Sequence, residues 1–443
     1  MSAPDVSLNS NILLRCEQLP PVLGRESASS LQWIPNQSPP MRIAVIGNHL
    51  PRQCGIATFT TDLCDAIAAE YGAAGLSVVA VNDPLSSHVY PMRVRFEIAE
   101  SDISSYRAAA DFLNSNNFDS VCLQHEYGIF GGKSGSHILK LLRHLKIPVV
   151  TTLHTVLRQP DLDQLTIMHQ IVAHSDRLVV MSEYSSCVLQ DVFGVPGEKI
   201  DLIPHGIPDL PFVEPGVYKD SLSIANKSVL LTFGLLSTNK GFESVIRALP
   251  RILSRHKNVV YVIAGATHPH VKAREGDRYR YHLQALAKEL GVEEEVIFVN
   301  RFVSPKEMAS LVGSADIYIT PYRHEAQAVS GTLAYAMGAG KAIISSPYWH
   351  AAELLNDGRG ALVPFEDPDA LAATAIELLD NDAARQAMRK RAYLHSRHMV
   401  WNRVAQSYMR SFVRARANYV QASLSGFPVQ AVERLTAHQL ANL

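Results

Sequence analysis

The chain has 443 residues, is 47% hydrophobic and 19% charged, and carries a formal net charge of −1. That length suits two or three folded domains, and the near-neutral balance excludes a bulk electrostatic pull toward nucleic acid or anionic membrane. The longest apolar runs, such as "IAVIG" and "VVYVIAG", are strand-length, far short of the roughly 20 residues that a bilayer span requires.

Residues 1–40 are rich in Ser, Pro and Asn and lack a basic region followed by an apolar one. They read as a loosely ordered leader rather than a signal peptide. The five cysteines (Cys16, Cys54, Cys64, Cys122, Cys187) form no C-x-x-C pair, which reads as a reduced, cytoplasmic set. From Met41 on, strands alternate with helices. "RIAVIGN" is a strand, and Phe59, Leu63, Ile67 and Tyr71 then recur every four residues on one helical face. "LSVVAVND", "DSVCLQ", "IPVVTTLH" and "RLVVMS" are further strands.

After "DSVCLQ" comes "HEYGIFGGKSGSH", whose Gly131, Gly132, Lys133 and Ser134 resemble a phosphate-binding P-loop. The count is wrong: the position that needs glycine is Tyr127, and Gly128 is one residue too close. A βα loop that needs glycines to turn tightly explains the stretch. Asp161 and Asp163 in "PDLDQL" have the D-x-D spacing of some metal-dependent transferases, but a helix N-cap with a first-turn acid accounts for them.

"IPHGIPDLPFVEPGVYKDS" has four prolines and no periodicity, and reads as a linker. The alternation then restarts with "SVLLTFG", "VVYVIAG", "EVIFVN", "DIYITPY", "KAIISS" and "GALVPF", and the chain closes on a long helical stretch containing "WNRVAQSYMRSFVRARANYV". This pattern predicts an α/β fold of two facing, Rossmann-like, doubly wound domains, at 41–210 and 211–394, followed by helices and a tail at 395–443. Both sets of strand-end loops should share one cleft.

No G-x-G-x-x-G follows the first strand, so hydride transfer is disfavoured. The second half carries a stronger signal. Lys240 stands at a helix entrance after "LLTFG", and Ser330, Gly331 and Thr332 open a helix after "DIYITPY". A lysine and a helix N-terminus at adjacent strand ends suit a diphosphate; taken singly, they are a solvated lysine and a plain N-cap. His268, His270 and His282 lack carboxylate or cysteine neighbours in sequence, so no metal site is expected.

These segments resemble the retaining, sugar-nucleotide-dependent glycosyltransferases of family 4, which have the GT-B fold. The resemblance covers about residues 41 to 410 and rests on "PRQCGIATFT", "TTLHT", "DRLVVMSEYS", "LIPHGIPD", "FGLLSTNKGFESVIRAL", "GRGALVPFEDPDALA" and "WNRVAQSYMRSF". It implies transfer of a hexose from a nucleoside diphosphate sugar to a hydroxyl acceptor with retention, without metal or other cofactor. Gly55 and Ile56 would approach the donor phosphates, His154 would hold the sugar, and Lys240 with Ser330, Gly331 and Thr332 would bind the diphosphate. His125, Glu126 and Tyr127 would line the acceptor side, unless His125 and Glu126 only pair or cap a helix.

The family's phosphate arginine is replaced by Leu235, and its two glutamates, eight residues apart, fall at Gln327 and Tyr335. Glu325 is a nearby substitute, and Lys272, Arg274, Arg278 or Arg280 could supply the absent cation. A scaffold that binds a nucleotide sugar or a partner protein without turnover is the rival reading, and a phosphorylase or epimerase a third. Peripheral membrane contact and oligomeric state stay open.

Overall fold

The segments that become strands are rich in Val, Ile and Leu, and most are buried from end to end, as a parallel sheet covered on both faces requires. In a computed structural model that describes residues 41–83, 88–219, 224–267 and 269–424, the first sheet contains β1 (Ile43–Gly47), β2 (Leu76–Asn82), β3 (Val94–Ala99), β4 (Ser120–His125), β5 (Val149–Leu153), β6 (Arg177–Val180) and β7 (Ile200–Leu202). The second contains β8 (Ser228–Phe233), β9 (Val259–Ala264), β10 (Val296–Val299), β11 (Ile317–Thr320), β12 (Ala342–Ser345) and β13 (Ala361–Leu362). The leader expected at 1–40, the residues beyond 424 and His268 lie outside the described residues.

The strand orders are β3-β2-β1-β4-β5-β6-β7 and β10-β9-β8-β11-β12-β13, and the pairings are parallel throughout. The helices that cross over the first sheet are α1 (Gly55–Tyr71), α2 (Ile103–Ser115), α3 (Ile138–Leu142), α4 (Leu162–His174) and α5 (Glu183–Phe193). The short α6 (Gly216–Lys219) follows the linker. Around the second sheet lie α7 (Phe242–Arg255), α8 (Pro269–Glu275), α9 (Arg278–Glu289), α10 (Pro305–Ser314), α11 (Gly331–Gly338), α12 (Trp349–Leu354), α13 (Pro368–Asp380) and α14 (Asp382–His395).

The order reverses between β1 and β4 in one sheet and between β8 and β11 in the other. Those switch points open a crevice beyond the carboxyl ends of the strands, where ligands bind in such sheets. Gly55 follows β1, Glu126 and Tyr127 follow β4, Lys240 follows β8 and Ser330 follows β11, while His154 follows the neighbouring β5 and Arg280 comes after β9.

The last described helix, α15 (Trp401–Leu424), returns to the first domain. Val404, Ala405, Tyr408, Phe412 and Ala415 share a buried cluster with Ile43, Val45, Phe59, Cys122, Val150 and Val179. The Tyr408 hydroxyl meets Thr152 Oγ1 at 2.9 Å, Ser411 donates to Asp201, and Arg414 pairs with the same carboxylate.

Contacts on two sides of the crevice join the domains among the described residues. Glu353 on α12 accepts the backbone N–H groups of Glu183 (3.0 Å) and Tyr184 (3.3 Å) at the start of α5, and Trp349 stacks on Tyr184 with ring centroids 4.0 Å apart. On the other side, Tyr335 on α11 donates its hydroxyl to Asp62 on α1 at 3.2 Å. Among the described residues no helix is long and apolar enough to cross a membrane.

Candidate active site

Lys240 closes a single helical turn after β8, and Gly241 behind it adopts φ +67°. A Cβ there would sit 2.0 Å from the Pro321 carbonyl oxygen, so glycine alone lets the turn press against the exit of β11. The result is a contact that the sequence does not announce. Lys240 Nζ donates to the Tyr322 hydroxyl and lies 4.0 Å from the centroid of its ring, a cation–π geometry. The Tyr322 hydroxyl also meets Ser330 Oγ at 3.3 Å and Thr332 Oγ1 at 3.4 Å. Burial pushes this phenol's pKa up. The Lys240 charge and the hydrogen bonds from Lys240, Ser330 and Thr332 outweigh burial, and the net direction is down.

Ser330 caps α11, accepting from Leu333 N, and its own N–H is taken by His350 Nδ1 at 2.9 Å. His350 is buried, which drives its pKa down to about 3; it is a neutral acceptor at Nδ1. The N–H groups of Gly331 and Thr332 lie in the first turn of α11, where a helix has no internal partners for them. Cation, three hydroxyls and helix N-terminus thus converge at one strand end, an arrangement that holds anions.

In the first domain, Cys54 caps α1, with Sγ accepting from Ala57 N at 3.4 Å, so α1 also aims its N-terminus at the crevice. Gly55 is exposed, and nothing lies within 4 Å of where its Cβ would be. Ile56 is half-buried against the core beneath. His154 follows β5 and donates from Nε2 to Gln124 Oε1 at 2.8 Å, leaving Nδ1 as the acceptor. Its ring stands edge-on to Phe59 at 4.9 Å, and burial lowers its pKa to about 3, so the imidazole is neutral. Gln124 begins the "QHEYGIFGG" stretch that reads as acceptor-side lining but instead holds His154, and Tyr322, His350 and Asp62 do not stand out in the sequence as site residues. Their roles come from partners that are mostly tens to hundreds of residues away.

The stretch after β4 does not behave as one lining. His125 is fully buried between Phe130 and Tyr127, and neither ring nitrogen has a hydrogen-bond partner among the described residues. It therefore does not pair with Glu126. Glu126 instead accepts from Tyr127 N (3.0 Å) and Thr155 Oγ1 (2.5 Å), tying the β4 and β5 exits together, and burial raises its pKa. Tyr127 is half-buried, with its hydroxyl 3.5 Å from the Gln164 carbonyl. The glycine loop folds onto its own domain: a Cβ on Gly131 would stand 1.9 Å from the Glu100 carbonyl oxygen, and Lys133 pairs with Asp163. The P-loop look-alike is therefore a packed turn, and Asp161 forms a capping box with Gln164 at the start of α4.

The donor-side substitutes are distributed as follows. Gln327 Nε2 donates to the Val329 carbonyl at 2.6 Å. Glu325 is exposed, with its backbone carbonyl accepting from Trp349 N. Tyr335 is buried and edge-on to His205. Arg280 pairs with Asp277 at 3.1 Å, and Asp277 accepts from Thr267, which bridges to Leu236 beside Leu235. One guanidinium nitrogen of Arg280, Nη1, is buried without a partner among the described residues. No group of three or more metal-ligating side chains occurs among those residues.

Residues 54–209 match the family model described as Glycosyltransferase Family 4, and residues 218–395 that described as Glycosyl transferases group 1. The chain belongs to the family 4, group 1 glycosyltransferases. Among curated members, it is 26% identical over 226 residues to a phosphatidyl-myo-inositol mannosyltransferase of Mycolicibacterium smegmatis, covering 51% of this chain and 54% of that protein. It is 26% identical over 290 residues to a D-inositol 3-phosphate glycosyltransferase of Xylanimonas cellulosilytica, covering 61% and 67%. The chain thus spans about half to two thirds of the length of these family 4 relatives.

Solved structures bear out the GT-B fold. HepE of Anabaena, crystallised with UDP and glucose, superposes with a TM-score of 0.65 at 16% identity, covering 84% of this chain and 99% of that one. Sucrose-phosphate synthase of Thermosynechococcus elongatus gives 0.69 at 18% identity, covering 85% and 99%. Within this family member, the switch-point crevice lies between the halves that the two models match.

Proposed function

We propose that the protein transfers a hexose from a nucleoside diphosphate sugar to a hydroxyl of a saccharide or small-molecule acceptor, with retention at the anomeric carbon. The observation that supports this most is the convergence of Lys240, Tyr322, Ser330, Thr332 and the start of α11 at the switch point of the second sheet. In the reaction, the bond between the anomeric carbon and the β-phosphate oxygen breaks and its electron pair stays on the diphosphate. The acceptor oxygen bonds to the anomeric carbon on the same face, and its proton passes to the leaving phosphate. Charge builds on that phosphate, so groups fixed beforehand around it lower the barrier. Lys240 and the α11 N–H groups fill that role, with the α1 N-terminus at Gly55 and Ile56 facing them. Neutral His154, held by Gln124, is suited to hydrogen-bond a sugar hydroxyl. Glu126 and Tyr127 stand on the acceptor side, and no step invokes a metal. UDP in the HepE crystal and the mannosyltransferase relative are consistent with a sugar nucleotide, and leave base and sugar to experiment.

The rival, a scaffold that binds without turnover, draws on Gln327 bonded to Val329 and Tyr335 bonded to Asp62, both turned to partners within the protein. Thermal unfolding with UDP, GDP, ADP and dTDP, each with its common sugars, separates the two. A ligand at about 100 times its dissociation constant stabilises by about 2.7 kcal/mol, and one nucleotide should stand out. With that donor, Lys240→Ala should lower turnover by about tenfold or more while the fold is kept. Shifts without turnover against a panel of acceptors would favour the scaffold; near-normal turnover in the variant would remove Lys240 from the site.

A further inference from the structure

The Lys240–Tyr322 contact has no place in the sequence pattern that marks Lys240 and α11. A lysine side chain on a strand-end loop is long and flexible, and its ammonium must be held if it is to meet a phosphate at a fixed point. Tyr322 holds it twice, by a hydrogen bond to the phenol oxygen and by the ring face beneath the charge. The tyrosine itself is fixed. It is buried, its ring stacks on Tyr348 at 4.7 Å, and its backbone carbonyl accepts from Ser346 Oγ at 2.6 Å. Tyr348 in turn is anchored through its hydroxyl to Thr320 at 3.1 Å.

We propose that Tyr322 is the positioning residue of the phosphate site: its phenol oxygen sets the Lys240 ammonium in register with Ser330, Thr332 and the free end of α11. This rests on the reading of Lys240 and α11 as the site for the donor diphosphate. The phenol oxygen accepts from Lys240, so its own hydrogen is directed to the Ser330 and Thr332 side, where the phosphates would lie. The titratable groups around it are Lys240, Tyr318 and Tyr348, with His350 behind Ser330. The Lys240 charge and the hydrogen bonds around the phenol favour ionisation below the ordinary tyrosine range, and once ionised its negative charge opposes the phosphates.

The test combines binding with a spectroscopic readout that a purely structural role would not move. Inorganic pyrophosphate and UDP are titrated calorimetrically into wild type and Tyr322→Phe, and phenolate absorbance is followed against pH in both. The variant, which keeps the ring, should bind pyrophosphate about tenfold more weakly, as expected for a lost hydrogen bond to a charged group. The wild-type-minus-variant spectrum should show one phenol ionising below the ordinary tyrosine value of about 10, and bound pyrophosphate should move that midpoint upward. Equal pyrophosphate affinity in the two proteins overturns the proposal, as does a midpoint unmoved by pyrophosphate. Should Tyr322→Phe fail to fold, the wild-type titration with and without pyrophosphate decides the question by itself. Binding of pyrophosphate but of no nucleoside diphosphate would sink the donor reading and leave Tyr322 in place; binding of neither would remove both.

Discussion

A buried imidazole with no hydrogen-bond partner is a cost that the fold must offset. His125 sits between Phe130 and Tyr127 with both ring nitrogens unmatched among the described residues, and an unsatisfied buried polar group costs about 1–3 kcal/mol. Replacing it with Phe should therefore stabilise the protein by about 1 kcal/mol, read as a rise in melting temperature of about 2 °C. A lower melting temperature would mean that the imidazole has a partner such as an ordered water. At this scale, the sequence reveals groups whose surroundings are local. Lys240 precedes a helix and Ser330 caps one, and both are visible as short patterns. Tyr322 lies 82 residues from the lysine that it holds, and Asp62 lies 273 residues from Tyr335. Spacing along the chain carries no trace of either contact, and in its own segment Tyr322 looks like one more core aromatic.

Among the elements, periodicity reveals only what burial imposes. All six strands of the second sheet stand out as apolar runs, because most are buried on both faces. In the first sheet β3 and β7 do not. β3 alternates Val94, Phe96 and Ile98 with Arg95 and Glu97 at an edge, where alternate side chains are more exposed, and β7 has three residues at the opposite edge. The glycine loop after β4 is legible as a tight turn from its residue count alone, but the reason lies in the distant Glu100 carbonyl. Gly131→Ala should destabilise the protein by about 2 kcal/mol or more, because a Cβ would force backbone atoms apart in a packed region. Denaturant unfolding measures this. An unchanged midpoint would show that the loop relaxes freely, and unchanged pyrophosphate binding is expected in the folded fraction.

At the scale of the whole molecule, the two domains meet through carboxyl groups. Burial pushes Glu353 up to about 7 against the opposing pull of the Glu183 and Tyr184 N–H groups, and pushes Asp62 up to about 6. In each case the folded protein binds the proton more tightly than the unfolded chain. The resulting stability is present in full below the unfolded carboxyl pKa and is lost as pH rises through the folded value. Melting temperature should therefore slope downward between about pH 4 and 7, and Glu353→Gln, which keeps an acceptor for the α5 N–H groups, should flatten the slope. A wild-type slope no steeper than that of the variant would remove Glu353 from this role. Two-domain architecture is legible because the strand–helix alternation stops at the proline-rich linker and starts again, whereas the carboxyl groups that bridge the crevice belong to no motif. The return of α15 to the first sheet has a further consequence for biogenesis. Val404, Tyr408 and Phe412 leave the ribosome after the entire second sheet has been made. At about 5–20 residues per second, the first sheet's apolar flank at Ile43, Val45 and Val150 waits roughly 10 s to a minute for its cover. The first domain to emerge is thus the last to be finished.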